Sequence, residues 1–420
     1  MGTIGDKLAY LDGTKQAIKQ ALINKNIEVT DEDTFRSYAE KLDNMAILNA
    51  QFKEGALSAK NGTEVKNLVH YNTQKLPKIT LNSKFTTNLF YDLQGLLEVP
   101  ELELLQTILD ASAMFYNCKC ITEAPLFDTS SVTTFASMFY NCHALTTAPA
   151  YNTSNVTNAS YMFNGCTYLT EVPTYDLSNA TTIQAMFKDC QTLTTAPAIT
   201  TSNALTNAQE LFCGCTNLTT VPLFDTSMVT NAYNMFNSCK ALTTVPAFDF
   251  SSATNVNDMF YQCENLTTVP ATFDLSSAKS TYDMFRYCKA LTTAPAITTS
   301  NALTNASSMF ESCENLTTVS LFDTSSVTNT SSMFRYCYDL TTVPAFDLSS
   351  ATSVSSMFSG CNSLSTESLN NILASCITAT KLSTKKLTSI GISSSTYKNV
   401  DFTAMSNYQA FIDAGWTLGW

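Results

Sequence analysis

Met138-Phe139-Tyr140-Asn141-Cys142-His143-Ala144-Leu145-Thr146-Thr147-Ala148-Pro149 is one copy of a phrase that recurs through the middle of the chain. Met-Phe stands again at 114, 162, 186, 235, 259, 284, 309, 333 and 357, with Leu211-Phe212 filling the one gap, and successive copies are 24 or 25 residues apart. Three residues after each Phe comes a Cys, from Cys118 to Cys361, and three beyond the Cys a Leu or Ile. Leu89-Phe90 opens an earlier, degenerate copy with Leu93 in the Cys position. Tandem copies at a fixed period are the signature of a solenoid: one unit cannot bury its own apolar face, so stability comes from stacking on its neighbours.

Within a unit two periodicities alternate. Val132, Ala136, Phe139 and Cys142 stand at i, i+4, i+7 and i+10, which predicts a short helix with Ser130 or Ser131 as its N-cap. Leu145-Thr146-Thr147-Ala148-Pro149-Ala150 reads as L-x-x-L-x-L, the strand of a leucine-rich repeat, with Thr147, Pro149 and Tyr151 pointing outward. A Pro has no N–H for a ladder, so the strand is expected to be two or three residues long and closed by the Pro. The expected fold is an α/β leucine-rich-repeat solenoid of 24–25-residue coils, each a short strand plus a short helix. About thirteen coils at ~4.8 Å each would run roughly 60 Å. A longer period lies on top: residues 193–208 and 291–306 are identical and 98 positions apart. Leu126–Ser130 recurs as Leu223–Ser227 and Leu321–Ser325, so the array has grown in blocks of four units.

The ends are not repeats. Residues 1–46 carry Ile4, Leu8, Leu11, Ile18 and Leu22 on one helical face, then Phe35, Ala39 and Leu42 after the capping-type Thr30-Asp31-Glu32-Asp33, and predict a helical hairpin for attachment or oligomerisation. Residues 47–88 are expected to form a linker and N-terminal cap, 89–364 the solenoid, and 365–420 a C-terminal cap. Within that cap the pattern predicts a helix over Glu367–Cys376, a last strand over Leu387–Ile392 and a short helix over Tyr408–Trp416.

Composition narrows the function. Charged residues are 14% against a typical ~25%. Thirty-five acidic against 23 basic residues give a net charge of −12, which does not suit a nucleic-acid partner. No apolar run reaches the ~20 residues of a membrane span. The opening Met1–Lys7 has no apolar core of a signal peptide, so synthesis and release in a cytoplasm are expected. Two His, and no phosphate-binding loop, zinc-protease helix or nucleophile elbow, leave no basis for an enzyme or a cofactor. Of 14 Cys, eleven fall in one column, where parallel side chains fit disulfide geometry poorly. They are expected to be small buried apolar residues. Cys118-Lys119-Cys120 and Cys213-Gly214-Cys215 have no His nearby in sequence, so no metal site is expected.

The unit Asp-Thr-Ser-x-Val-Thr-Asn-x-x-x-Met-Phe-x-x-Cys-x-x-Leu-Thr-Thr resembles the BspA-type leucine-rich repeat of bacterial surface proteins and lipoproteins, also found in bacteriophage tail-associated proteins. The resemblance covers residues 80–365 and implies binding rather than catalysis. The segment from Ile4-Gly5-Asp6-Lys7-Leu8 to Ala39-Glu40-Lys41-Leu42 is similar to openings of phage tail and fibre proteins. Together these imply a non-enzymatic virion protein of the tail or fibre type. Its solenoid would bind host cell-surface glycan or protein, and residues 1–46 would join other virion proteins. The alternatives are a purely structural virion protein and a bacterial BspA-like surface adhesin. The array has no coiled-coil heptads, so a homo-oligomer such as a trimer would form through its ends.

Candidate binding residues stand where packing does not dictate identity, in the two positions after each Phe and after each Cys. Tyr140, Tyr261, Arg286, Tyr287, Arg335, Tyr336 and Tyr338 fall there. Tyr and Arg give flat, amphipathic contacts with few degrees of freedom.

Overall fold

The computed structural model describes residues 57–59, 79–81, 84 and 86–420. The hairpin expected over 1–46 lies outside the described residues, as does most of the segment 47–88.

The chain winds as a solenoid whose neighbouring coils pair in parallel, but its coils contain no helix among the described residues, and the expected α/β class does not hold for them. The Met-Phe segment is instead a run of overlapping turns. Met138 N–H donates to Phe135 O (3.0 Å), Tyr140 N–H to Ser137 O (3.1 Å), Cys142 N–H to Phe139 O (3.0 Å) and Leu145 N–H to Cys142 O (3.1 Å). The intervening N–H groups point along the stack. Phe135, Ser137, Phe139 and Asn141 donate to Asn158, Ser160, Met162 and Asn164 of the next coil at 2.7–3.0 Å. Of these eight donors four close turns and four join coils, so each of them is paired.

This alternation requires a left-handed backbone twice per coil, as the third residue of a type II turn does. Ser137 and Asn141 both have φ 57°, and their counterparts repeat the value down the array. At the position just before Cys, six of eleven residues are types that tolerate this region, Asn117, Asn141, Gly165, Asp189, Gly214 and Gly360, while Ser238, Gln262, Tyr287, Ser312 and Tyr336 are held there by the stack. The expected N-cap at Ser130 is also replaced: Asp128 Oδ1 accepts the Ser130 N–H at 2.9 Å and turns the chain.

Strands are two or three residues long, as expected, but lie after the Pro and not before it. Tyr175–Asp176 pairs with Ile199–Thr200, and Thr272–Asp274 with Ala296–Thr298, all parallel. The Leu-Thr-Thr segment contributes only single bridges, such as Thr195 to Thr220 and Thr293 to Thr318. Pro has no N–H, so pairing breaks there and resumes beyond it. Leu57–Ala59, Ile79–Leu81 and Leu102–Leu104 form a three-stranded parallel sheet, so pairing begins inside the segment assigned to linker and cap.

The core is a column of rings. Phe90, Phe115, Phe139, Phe163, Phe187, Phe212, Phe236, Phe260, Phe285, Phe310, Phe334 and Phe358 stack in unbroken sequence with centroids 5.2–5.8 Å apart. Beside it runs the Cys column. All fourteen Cys are free, and each of the eleven in the column donates its thiol to the carbonyl of the Phe one coil back, as Cys142 Sγ does to Phe115 O (3.0 Å) and Cys239 Sγ to Phe212 O (3.1 Å). Cys fits because it is a small hydrophobe that still brings a weak donor to that oxygen.

The last coil is closed by residues 365–420. Ser356 and Phe358 N–H, which have no further coil to meet, donate to Ser389 O (2.9 Å) and Ile390 O (2.8 Å). Leu387–Ile390 is a 3₁₀ turn, where a strand was expected. The helix Thr366–Thr378 covers the other open edge: Val343 N–H donates to Ser368 Oγ (3.0 Å), Phe346 N–H to Ser375 Oγ (2.9 Å) and Leu348 N–H to Thr378 Oγ1 (2.7 Å). Leu369, Ile372, Leu373 and Cys376 bury its inner face, and the short helix Tyr408–Asp413 packs behind it. An edge so covered offers no template for further pairing.

Candidate functional site

Six of the seven candidate residues come together. Arg286 lies over the Tyr287 ring, its guanidinium carbon 5.0 Å from the centroid, and Arg335 lies over Tyr336 at 4.5 Å. Tyr261 meets Tyr287 edge-on at 5.7 Å, and Tyr338 packs 6.0 Å from Tyr336. Tyr140 stands apart, at the end of a stack formed with Tyr91 and Tyr116 at 4.5 and 4.6 Å.

The two arginines are held by ion pairs and are only partly exposed. Glu311, 4% exposed, stands in the coil between them, and its Oε1 receives Arg286 Nη2 at 3.3 Å and pairs with Arg335 Nη1 at 3.6 Å. Arg286 Nη1 also donates to Asp283 Oδ2 at 3.2 Å, and Arg335 Nη2 to Tyr336 Oη at 2.7 Å. The guanidinium planes are therefore fixed, each with one face on a Tyr ring, and only their outer parts reach solvent. Among the described residues, Nε of both arginines and Oδ1 of Asp283 are buried without a hydrogen-bond partner. The exposed rim is supplied by Tyr282 and Tyr338, 39% and 43% exposed.

Two carboxylates complete the local charge. Asp258 and Asp283 occupy equivalent positions in consecutive coils. Burial, reinforced by the Asp283 charge, pushes the Asp258 carboxyl up to about 6. Burial also raises Asp283, against the pull of Arg286. Asp258, Tyr282, Asp283 and Glu311 were missed because the sequence was read along the chain. Reading down the column after Phe gives Tyr261, Arg286, Glu311, Arg335, an alternation of charge that marks an ion-pair ladder.

The other proposed outward face, on Thr147, Pro149 and Tyr151, is not one surface. Thr147 is exposed, whereas Pro149 and Tyr151 are buried, and Tyr151 Oη donates to Pro125 O at 2.8 Å. The Cys pairs do not converge either: Cys118 and Cys215 sit in the core column, while Cys120 and Cys213 lie half-buried outside it. Among the described residues no three His, Cys, Asp or Glu side chains are grouped to hold a metal ion, and no helix is long and apolar enough to cross a membrane.

A stacked array of BspA-like repeat coils defines a repeat protein, and this repeat type fits a surface or adhesin-like one. More particularly, the chain belongs to the family described as Mycoplasma protein of unknown function, DUF285, which it matches over residues 109–220, 198–300 and 296–396. No curated protein sequence matches it. Among solved structures it is similar to the Drosophila Toll–Spatzle complex, at 15% identity and TM-score 0.29, over 79% of this chain and 50% of that one. It is also similar to a leucine-rich repeat protein from Eubacterium ventriosum, at 14% identity and TM-score 0.32, over 74% and 86%. A plant peptide hormone receptor, RGFR1 in complex with RGF2, matches at 12% and TM-score 0.24, over 68% and 61%. The chain thus spans half the length of the chain it matches in the Toll–Spatzle complex.

Proposed function

We propose that the chain is a non-enzymatic recognition protein whose solenoid binds a cell-surface glycan or protein, and that it serves in a bacteriophage tail or fibre, joined to other virion proteins through residues 1–46. The observation that carries the binding step is the cluster around Glu311. On a scaffold that otherwise repeats itself, two guanidinium groups are immobilised on tyrosine rings before any ligand arrives. Fixing them in advance lowers the entropy lost on binding. Tyr282 and Tyr338 offer ring faces beside them to a sugar or a peptide.

The bacterial adhesin is the second reading, favoured by the family's description as a Mycoplasma protein. It shares the binding step and differs in the particle. A purely structural virion protein does not bind cells at all.

The test is retention of the full chain on intact candidate host cells, alongside Tyr282→Ala/Tyr338→Ala, which removes two exposed rings and leaves the ion pairs intact. Retention falling tenfold or more in the variant supports recognition through this cluster. Equal retention by both proteins refutes the site, and no retention of either on any host favours the structural role. Copurification with phage particles separates the virion reading from the adhesin.

A further inference from the structure

The parallel ladder formed by Thr272–Asp274 and Ala296–Thr298 does not continue into the next coil. There a side chain takes the place of the backbone: Thr299 Oγ1 donates to Asp323 O at 2.9 Å. The coils part into a shallow groove of about 540 Å³ lined by Ile297, Thr298, Leu321, Phe322, Asp323 and Asp347. Leu321 is 63% exposed, a large apolar side chain with no packing reason to be there. Asp323 and Asp347 are exposed beside it, and neither belongs to an ion pair among the described residues.

The six residues recur identically 98 positions earlier, as Ile199, Thr200, Leu223, Phe224, Asp225 and Asp249. The geometry recurs with them. The strand Ile199–Thr200 ends its ladder, Thr201 Oγ1 donates to Asp225 O at 2.9 Å, and Leu223 is 62% exposed. Four coils at ~4.8 Å place the two sites roughly 20 Å apart. Both lie on the segment after the Pro, not on the turns that carry Arg286 and Arg335.

We propose that these two grooves form a paired docking site for an extended polypeptide that is basic and apolar, presenting a leucine-like side chain between lysines or arginines twice, about 20 Å apart. Charge selects this occupant. Each rim carries two exposed carboxylates and no cation, so an acidic glycan or an anionic lipid surface would be repelled. The exposed Leu asks for an apolar contact that a simple polyamine lacks. Identical sites in series favour a ligand that engages both, because the second contact is then made within one complex. The site is separate from the cluster of the proposed function and stands or falls without it.

The full chain should be titrated by fluorescence anisotropy with a labelled Gly-Ser-Lys-Leu-Lys-Ser-Gly peptide and with a tandem version whose cassettes are joined by about fourteen Gly/Ser residues, a coil with an r.m.s. span near 20 Å. The tandem peptide should bind ten- to a hundredfold more tightly than the single one, and lose that gain in Leu321→Ser or in Leu223→Ser. Asp323→Asn/Asp347→Asn should halve the number of sites for the single peptide and abolish the tandem gain, and adding Asp225→Asn/Asp249→Asn should weaken both peptides at least fivefold and flatten the salt dependence. The Asn variants keep the turn, since Asn152 in the same column accepts the Ser154 N–H through Oδ1 at 3.1 Å. Absence of binding at millimolar peptide overturns the proposal. So does equal binding of a Glu-Leu-Glu peptide, or a tandem gain that survives both Leu changes. If light scattering instead shows a dimer that Leu321→Ser dissociates while no peptide binds, the occupant is a second copy and the polypeptide ligand is wrong.

Discussion

Removing one ring from the middle of the stack should divide the array into two independently melting blocks. Phe236 is fully buried and stacks on Phe212 (5.8 Å), Phe260 (5.4 Å) and Phe248 (6.0 Å). Phe236→Ala therefore forfeits three ring contacts and opens a cavity between two coils. Truncating a buried Phe costs about 3–5 kcal/mol, with the lost ring contacts, at about 0.5–1.5 kcal/mol each, placing this site at the upper end. Because each coil touches only its neighbours, the loss falls on two interfaces and not on the whole chain. Phe358, in the last coil, stacks among the described residues on Phe334 alone, at 5.5 Å. The two Trp residues lie only in the C-terminal cap, and Trp416 is buried, so tryptophan fluorescence reports the cap while far-UV circular dichroism reports every coil. In urea, Phe236→Ala should give a two-step dichroism curve, its early step lowered by about 1 M or more, while the fluorescence midpoint stays near wild type. Phe358→Ala should lower the fluorescence midpoint first. A single coincident transition of equal shift in both variants would show one cooperative unit and refute nearest-neighbour energetics here.

Three further outcomes are expected. Asp258 has its folded pKa raised to about 6, above the ordinary carboxylate value, so its contribution favours the folded state most below pH 4 and is withdrawn as pH rises through 6. Asp258→Asn should flatten the stability slope between pH 4 and 6 by on the order of 1 kcal/mol after solvent screening, checked by thermal melts across that range. In the native protein a thiol reagent should find at most Cys120 and Cys213, the latter slowly because burial pushes its thiol up to about 11, and all fourteen Cys should react in denaturant; more than two fast native thiols would contradict the buried column. Gly391→Ala should destabilise the cap by more than ~2 kcal/mol, read from the fluorescence transition, because at φ 96° its Cβ would press on the Ser359 backbone, which cannot yield.

Much of this architecture is legible in the sequence, and the part that is not has a specific cause. The period, the Phe and Cys columns and the helix over the last coil follow from apolar positions that repeat in register. The internal shape of the coil does not. Val132, Phe139 and Cys142 fit a helical stripe, but Phe135, Met138 and Leu145 are equally buried, and the full set 132, 135, 138, 139, 142, 145 advances mostly by three residues. Overlapping three-residue turns and a short helix leave nearly the same apolar trace. The distinguishing sign was the position before Cys, where six of eleven residues are Asn, Asp or Gly, the types that best tolerate the left-handed backbone demanded there. The site was half legible for a related reason. Arg286 and Arg335 were found by their chemistry, but Glu311 and Asp283 acquire meaning only when coils are stacked, since the pairing runs 25 or 24 residues along the chain and one step along the axis.

The bonds that join one coil to the next all run along the stack, and this decides how the molecule answers a pull on its ends. Tension along the axis loads those bonds coil by coil, so the end coil peels while the rest stays whole. Each coil released trades about 5 Å of stack for a strand of 24 residues, up to roughly 80 Å when drawn straight. A chain tethered at one end and gripping a surface with the other would pay out length under load instead of letting go, and would rewind when the load falls.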